Sequence, residues 1–169
     1  FAYRAAPVQM IYLGYPSTIG ADFIDYIIGD AILIPNGDEQ YYSERILRLP
    51  NTYMSTDNTR PISTRLITRS EVGLPEDGFV FCCFNNNYKI SASEFDIWMR
   101  VLLRTEGSVL WLRNSNIWSE DNLRTQAKIR GVAPSRLVFA GRVPMDEHLA
   151  RQKLADLFLD TVAYNAHTT

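Results

Sequence analysis

Four short apolar runs, separated by stretches of helical spacing, recur from about residue 74 onward, and no other feature restricts the fold as much. The first, Phe79-Val80-Phe81-Cys82-Cys83-Phe84, is apolar without a break and follows the turn sequence Pro75-Glu76-Asp77-Gly78. A strand with one wet face alternates apolar and polar residues, so an unbroken run reads as a strand buried on both faces. A helix follows it. Ser91 and Glu94 have the spacing of a capping box, Phe95, Trp98, Met99 and Leu102 share one helical face, and Gly107 is the stop. Ser108–Leu112 predicts the second strand, Ser119–Arg130 a mostly polar helix closed by Gly131, and Leu137–Ala140 the third strand. Asp146 is placed to cap a short helix reaching about Ala155, and Leu157–Asp160 predicts the fourth strand. This alternation gives a parallel sheet with helices on both faces, the doubly wound, Rossmann-like α/β class.

Residues 1–65 are less regular. Val8–Leu13 and Tyr26–Ile28 read as strands, Gly14–Gly20 as a turn-rich loop, Asn36-Gly37-Asp38 as a turn, and Ser43–Leu47 as a short helix. The Thr-, Asn-, Ser- and Pro-rich stretch 51–65 reads as a linker, which divides the chain into 1–65 and 66–169. The first residue is Phe, and His167-Thr168-Thr169 stands just past the fourth strand, so the expectation is a segment of a longer protein, inactive by itself.

With 17 basic and 19 acidic residues the net charge is -2, which disfavours a general nucleic-acid binder. The longest apolar run is far short of the ~18 residues that span a bilayer, and neither a membrane segment nor a secretory leader is visible. Cys82 and Cys83 are neighbours whose side chains would point to opposite faces of a strand, so they read as two buried thiols in a reducing, cytoplasmic setting. His148 and His167 are too far apart for a helical pair and no C-x-x-C occurs, so no metal is expected.

In open α/β sheets the ligand crevice lies beyond the carboxyl ends of the strands. The first strand leads to Asn85-Asn86-Asn87-Tyr88-Lys89, and the third to Gly141-Arg142-Val143-Pro144 and a helix carrying His148 and Arg151 three apart, on one face. The fourth leads to Thr161 and then Asn165-Ala166-His167-Thr168-Thr169. Cations, amides and hydroxyls on one edge beside a helix N-terminus suit an anion, usually phosphate. The glycine-rich loops of dinucleotide and P-loop proteins are absent, as is G-x-S-x-G, which points toward a nucleotide-sugar enzyme. Spacing alone equally allows plainer readings: Lys89 and Arg151 as solvated surface residues, and the asparagines as loop chemistry.

The segment Phe84-Asn85-Asn86-Asn87-Tyr88-Lys89-Ile90 resembles the F-N-x-x-x-K-I motif of protein O-linked N-acetylglucosamine transferases, a family that includes the SPINDLY-like proteins. Leu13-Gly14-Tyr15-Pro16, Tyr26–Asp30, Gly73–Asp77, Ser108–Leu112 and Leu154–Thr161 resemble further family segments, in the family's order. Asn165-Ala166-His167-Thr168-Thr169 is similar to its N-G-H-T-T, and the likeness is to bacterial members.

The resemblance implies a glycosyltransferase-B fold of two Rossmann-like lobes, with 1–65 the end of the first and 66–169 the opening half of the second. It implies inverting, metal-independent transfer from UDP-N-acetylglucosamine to Ser or Thr hydroxyls of a polypeptide acceptor, with the nucleotide sugar as substrate and no cofactor. By the same likeness Lys89 would contact the diphosphate, Asn86 would take the place of a glutamine that reaches phosphate, and His148 and Arg151 would lie against the uracil. His167, Thr168 and Thr169 would line the phosphate and sugar, and Leu13 and Gly14 would approach the sugar from the other lobe. Met145 stands where members often carry a lysine, and Ser17 and Ile19 depart from the family within the Gly-Tyr-Pro loop. An acceptor-side histidine, a ribose-binding acid and a tetratricopeptide array would lie outside this chain. Two readings remain beside it: a protein O-fucosyltransferase using GDP-fucose, as implied by plant-type relatives, and a non-catalytic interaction module of the same fold.

Overall fold

A computed structural model describes residues 1–169, which form two compact units, Phe1–Asp57 and Asn58–Thr169. The first unit holds a three-stranded parallel sheet, β1 (Met10–Ile11), β2 (Tyr26–Gly29) and β3 (Arg45–Arg48), in the order β1-β2-β3. β1 is shorter than the expected Val8–Leu13, and Leu13 has left-handed backbone (φ 52°) that cannot continue a strand. The short helix expected over Ser43–Leu47 is not formed. Arg45–Arg48 instead pairs in register with Tyr26–Gly29, and this sheet pairing overrides the local helical preference. Ahead of it, Gly37 (φ 101°) opens a 3-10 turn over Asp38–Tyr41.

The second unit is a four-stranded parallel sheet of β4 (Val80–Cys83), β5 (Val109–Arg113), β6 (Leu137–Ala140) and β7 (Leu157–Phe158), with the order β6-β5-β4-β7. Three helices connect them: α1 (Ala92–Arg104), α2 (Ile117–Ile129) and α3 (Met145–Arg151). All four β4 residues are buried. Phe81, Cys83, Leu110 and Leu112 pack with Phe95, Trp98, Met99 and Leu102 of α1, and with Ala127 of α2. Val80, Cys82, Phe84, Val109 and Trp111 face the opposite way, toward Leu74, Leu154 and Ala155. The two cysteines are free thiols, and burial pushes both up to about 11.

The capping box forms as the spacing predicts: the Ser91 hydroxyl accepts from the Glu94 N–H at 3.3 Å, and the Glu94 carboxylate accepts from the Ser91 N–H at 2.8 Å. Two helix starts differ. α2 begins before Ser119 because Asn116 caps it, accepting from the Ser119 N–H at 2.9 Å. Ile117 and Trp118 are exposed there, so no apolar stripe marks the true start. α3 begins at Met145 after Pro144, with Asp146 inside its first turn rather than capping it. It ends at Arg151, and a 3-10 turn carries the chain to Leu154.

A Cβ on Gly78 would stand 2.5 Å from the Gly107 carbonyl oxygen, at a backbone φ of 112°. Gly78→Ala is therefore expected to destabilise the fold by about 2–3 kcal/mol, from strain and a clash that backbone cannot relieve. Gly107 (φ 70°) faces open space. Gly107→Ala should cost only about 1 kcal/mol, the left-handed penalty alone. Urea unfolding of the two variants measures the difference.

Candidate functional site

The strand order reverses between β4 and β7, the place at the carboxyl edge where open α/β sheets usually bind ligands, and here the loops after the two strands are hydrogen-bonded to each other. Asn85 leaves β4 buried, and its amide donates to Asp160 Oδ1 at 3.1 Å and to Thr161 Oγ1 at 2.8 Å. Asp160 Oδ1 also accepts from the N–H groups of Thr161 and Ala166, both at 2.8 Å. Thr161 is buried; its hydroxyl donates to the Tyr164 carbonyl at 2.7 Å, and its carbonyl accepts from the Asn165 side chain at 3.0 Å. The 160–166 loop is thus wound on itself.

Lys89 closes a 3-10 turn (Asn87–Lys89) between β4 and the Ser91 cap. Its Nζ donates to the Asn165 carbonyl at 3.2 Å and stands 4.4 Å from the centre of the Tyr164 ring. Lys89 as a residue is half-buried, and its ammonium rests with one side on the loop. His167 lies against the same ring, with centroids 5.4 Å apart. Thr168 and Thr169 follow, exposed. The structure therefore brings Lys89 and His167 around Tyr164.

A second group gathers beyond β6. Arg151 is 6% exposed; its Nη1 donates to the Gly141 carbonyl at 2.8 Å, and its Nε and Nη2 reach His148 Nδ1 at 3.2 and 3.0 Å. The guanidinium also lies within 5.6 Å of the Phe84 ring and 5.7 Å of the Trp111 ring. His148 and Arg151 meet as their helical spacing predicts. A guanidinium can only donate, so Nδ1 of His148 is the acceptor and the neutral ring carries its proton on Nε2. Burial, then the charges of Arg151 and Arg113, hold the imidazole pKa below its ordinary value. Arg151 is thus engaged on several sides by protein groups, and one of them, the His148 ring, is held in place by it.

Asn86 is not in either group. Its side-chain oxygen accepts from Arg113, the last residue of β5, and its amide reaches the Tyr88 hydroxyl at 3.3 Å. Asn87 donates to Ser119 Oγ at 3.1 Å. Leu13 and Gly14 belong to the first unit, where both are exposed just past β1. No three His, Cys, Asp or Glu side chains converge to hold a metal ion, and no helix is long and apolar enough to cross a membrane.

Sequence reasoning missed Arg113, Asp160 and the second engagement of Glu94. Glu94 accepts not only from its own cap but from the backbone N–H groups of Val162 and Ala163, the latter at 3.0 Å. Burial would raise this carboxyl, but the Ser91, Ala163 and Val162 hydrogen bonds outweigh it and leave the pKa below the usual carboxylate value. The capping-box spacing flagged Glu94, but nothing in the sequence marks a partner nearly seventy residues on.

The sequence profile of glycosyl transferase family 41 matches residues 1–64 and 54–169. A probable UDP-N-acetylglucosamine–peptide N-acetylglucosaminyltransferase, SEC of Arabidopsis thaliana, is 37% identical over all of this chain, which covers 18% of that protein. The probable transferase SPINDLY of Petunia hybrida is 30% identical over 99% of the chain, again 18% of the relative. Among solved structures, a mutant of the O-GlcNAc transferase of Thermobaculum terrenum superposes with a TM-score of 0.82 at 30% identity. That match covers 99% of this chain and 31% of the other. The chain thus spans under a third of the relatives it matches, and shares their Rossmann-like, glycosyltransferase-B type fold.

The His148 site has a pH signature. In the unfolded chain the imidazole takes up a proton near 6.5, whereas the folded site resists protonation. Its contribution to stability is therefore present above pH 6.5 and lost as pH falls through the lower folded value. His148→Gln, whose amide oxygen can still accept from Arg151, is expected to flatten the fall in unfolding free energy between pH 7.5 and about 5. Urea titrations of both proteins at the two pH values check this.

Proposed function

This chain belongs to glycosyl transferase family 41, and from that membership we propose that the protein carrying it transfers N-acetylglucosamine from UDP-N-acetylglucosamine to Ser or Thr hydroxyls of polypeptides. In this reading Phe1–Asp57 belongs to the first lobe and Asn58–Thr169 opens the nucleotide-sugar lobe. The observation that carries it is the Lys89 ammonium, held on Asn165 and Tyr164 beside the topological switch point.

The chemistry follows from what leaves. The acceptor oxygen bonds to the anomeric carbon from the face opposite the phosphate, the bond from that carbon to the diphosphate oxygen breaks, and its electron pair departs with UDP. The configuration inverts, and the hydroxyl proton passes to a base for which no residue of this chain is proposed. Negative charge grows on the diphosphate in the transition state, where a fixed cation lowers the barrier more than it tightens substrate binding. Lys89 is that cation. His167, Thr168 and Thr169 follow the loop that holds it and supply donors to phosphate and sugar, and Asn86 adds an amide. His148 presents Nε2–H to the uracil, its ring fixed by Arg151. The family resemblance adds Leu13 and Gly14 as contacts of the sugar. A tetratricopeptide array ahead of the catalytic region belongs to the same reading through the family resemblance. Two buried free thiols support a cytoplasmic setting.

Lys89→Ala in the full-length protein is expected to lower kcat by about a hundredfold or more, with a much smaller change in donor KM. Lys89→Arg should restore little, because a planar fork does not put its charge where a compact ammonium stood. Steady-state kinetics, with folding verified by melting temperature, decide the matter; near-normal kcat in folded Lys89→Ala removes the assignment. Calorimetric titration of the full-length protein should show UDP bound more tightly than GDP. A preference for GDP would move the donor to GDP-fucose, and no binding of either would favour an interaction module.

A further inference from the structure

We propose that Glu94 is a positioning residue for Lys89, a role that rests on the transferase reading above. A capping-box glutamate ordinarily sits on an exposed first turn and returns one hydrogen bond to its own cap. Glu94 is 4% exposed, and its carboxylate accepts from three backbone N–H groups: Ser91 at 2.8 Å, Ala163 at 3.0 Å, and Val162. A buried carboxylate is tolerated when donors surround it, and here two of the donors come from the loop after β7.

That loop is what Lys89 leans on. Residues 160–166 are cross-linked internally through Asp160, Thr161 and Asn165, so they behave as one rigid piece. Glu94 pins the piece to the start of α1. Lys89 lies in the turn that runs into the same helix start, and its Nζ meets the loop at the Asn165 carbonyl and the Tyr164 ring. One carboxylate therefore fixes both the turn that carries the lysine and the loop that receives its ammonium. A lysine stem has four rotatable carbons, and without a fixed support its charge spreads over many positions. Displacement of a catalytic group by about 1 Å can cost on the order of a hundredfold in rate.

A double-mutant cycle in the full-length protein separates positioning from simple stabilisation. Glu94→Gln keeps the length of the side chain but leaves one acceptor oxygen for two sets of N–H groups, so either the loop or the Ser91 N–H faces a donor and the link between them is broken. It is expected to lower kcat about tenfold while donor KM stays within about twofold. In a Lys89→Ala background the same change should lower kcat by less than about twofold, because the group it positions is gone. If Glu94→Gln does not fold, Glu94→Asp, which keeps the charge but withdraws it by one methylene, carries the same cycle with the same expectation. Ser91→Ala breaks the hydroxyl half of the cap and spares the N–H that Glu94 accepts, so it should lower the melting temperature yet keep kcat within about twofold. Equal losses in both backgrounds, unchanged kcat in folded Glu94→Gln, or a Ser91→Ala loss as large as that of Glu94→Gln would each overturn the inference. Sugar transfer by the unsubstituted protein is the first measurement. Its absence removes the transferase reading and this inference together, whereas an additive cycle in an active protein removes this inference alone.

Discussion

Backbone N–H groups released where parallel strands end must find acceptors away from water, and in this chain buried carboxylates supply them. After β2, Asp30 takes the N–H groups of Ile32, Leu33 and Tyr53. Before β3, Glu44 takes the Ile19 N–H and the Thr18 hydroxyl, both at 2.7 Å. In the second unit Glu94 and Asp160 share the loop after β7. The donors around Asp30, Glu44 and Glu94 overcome their burial and depress all three pKa values, so each stays ionised near neutrality. Loop shape is thereby fixed by charge-assisted hydrogen bonds, which are stronger than neutral ones. An aliphatic core cannot give a polar loop one conformation; these contacts can.

The sheet makes this arrangement necessary. Both faces of β4 and β5 are covered, so the side chains along the strands are committed to packing. The polar groups gathered around Lys89, His148 and Asp160 therefore stand just beyond the strand ends, at the edge where the order reverses between β4 and β7. Phe84 marks the transition: its ring packs on Trp111 below, and it meets the His148 ring at 5.3 Å and the Arg151 guanidinium above. Trp111 meets the same guanidinium, so two core rings, Phe84 and Trp111, reach the site and the orientation of the imidazole depends on the packing beneath it.

Elements whose cause is local were legible in the sequence. The unbroken Val80–Cys83 run, the Leu137–Ala140 strand and the Ser91–Glu94 cap need only neighbours within a few residues, and they stand where the pattern puts them. The i, i+3 spacing likewise foretold that His148 and Arg151 would meet. What depends on distant partners was not. Arg45–Arg48 became a strand because β2 offers a row of backbone groups at matching register, a fact absent from its own residues. The withdrawal of Arg151 into the protein follows from the Gly141 carbonyl and two aromatic rings, none of them encoded near it in spacing. Asn86 belongs to Arg113 for the same reason, since neighbouring strand ends, not neighbouring residues, bring them together. Spacing alone left the residues after β4 open between phosphate binding and ordinary loop structure, and the phosphate reading rests on the resemblance to the family.

The paired thiols of β4 have a practical consequence. Cys82 and Cys83 are adjacent in sequence yet belong to opposite layers of packing, and burial keeps both protonated at neutral pH. Alkylating reagents attack thiolates, so neither sulfur reacts until its own layer lifts from the sheet. The chain thus carries two native clocks, one timing the departure of the α1 side and the other the departure of the face beneath Leu74. Peptide mapping that distinguishes modification at the two positions would reveal which side of the sheet opens first, without any cysteine being engineered into the chain.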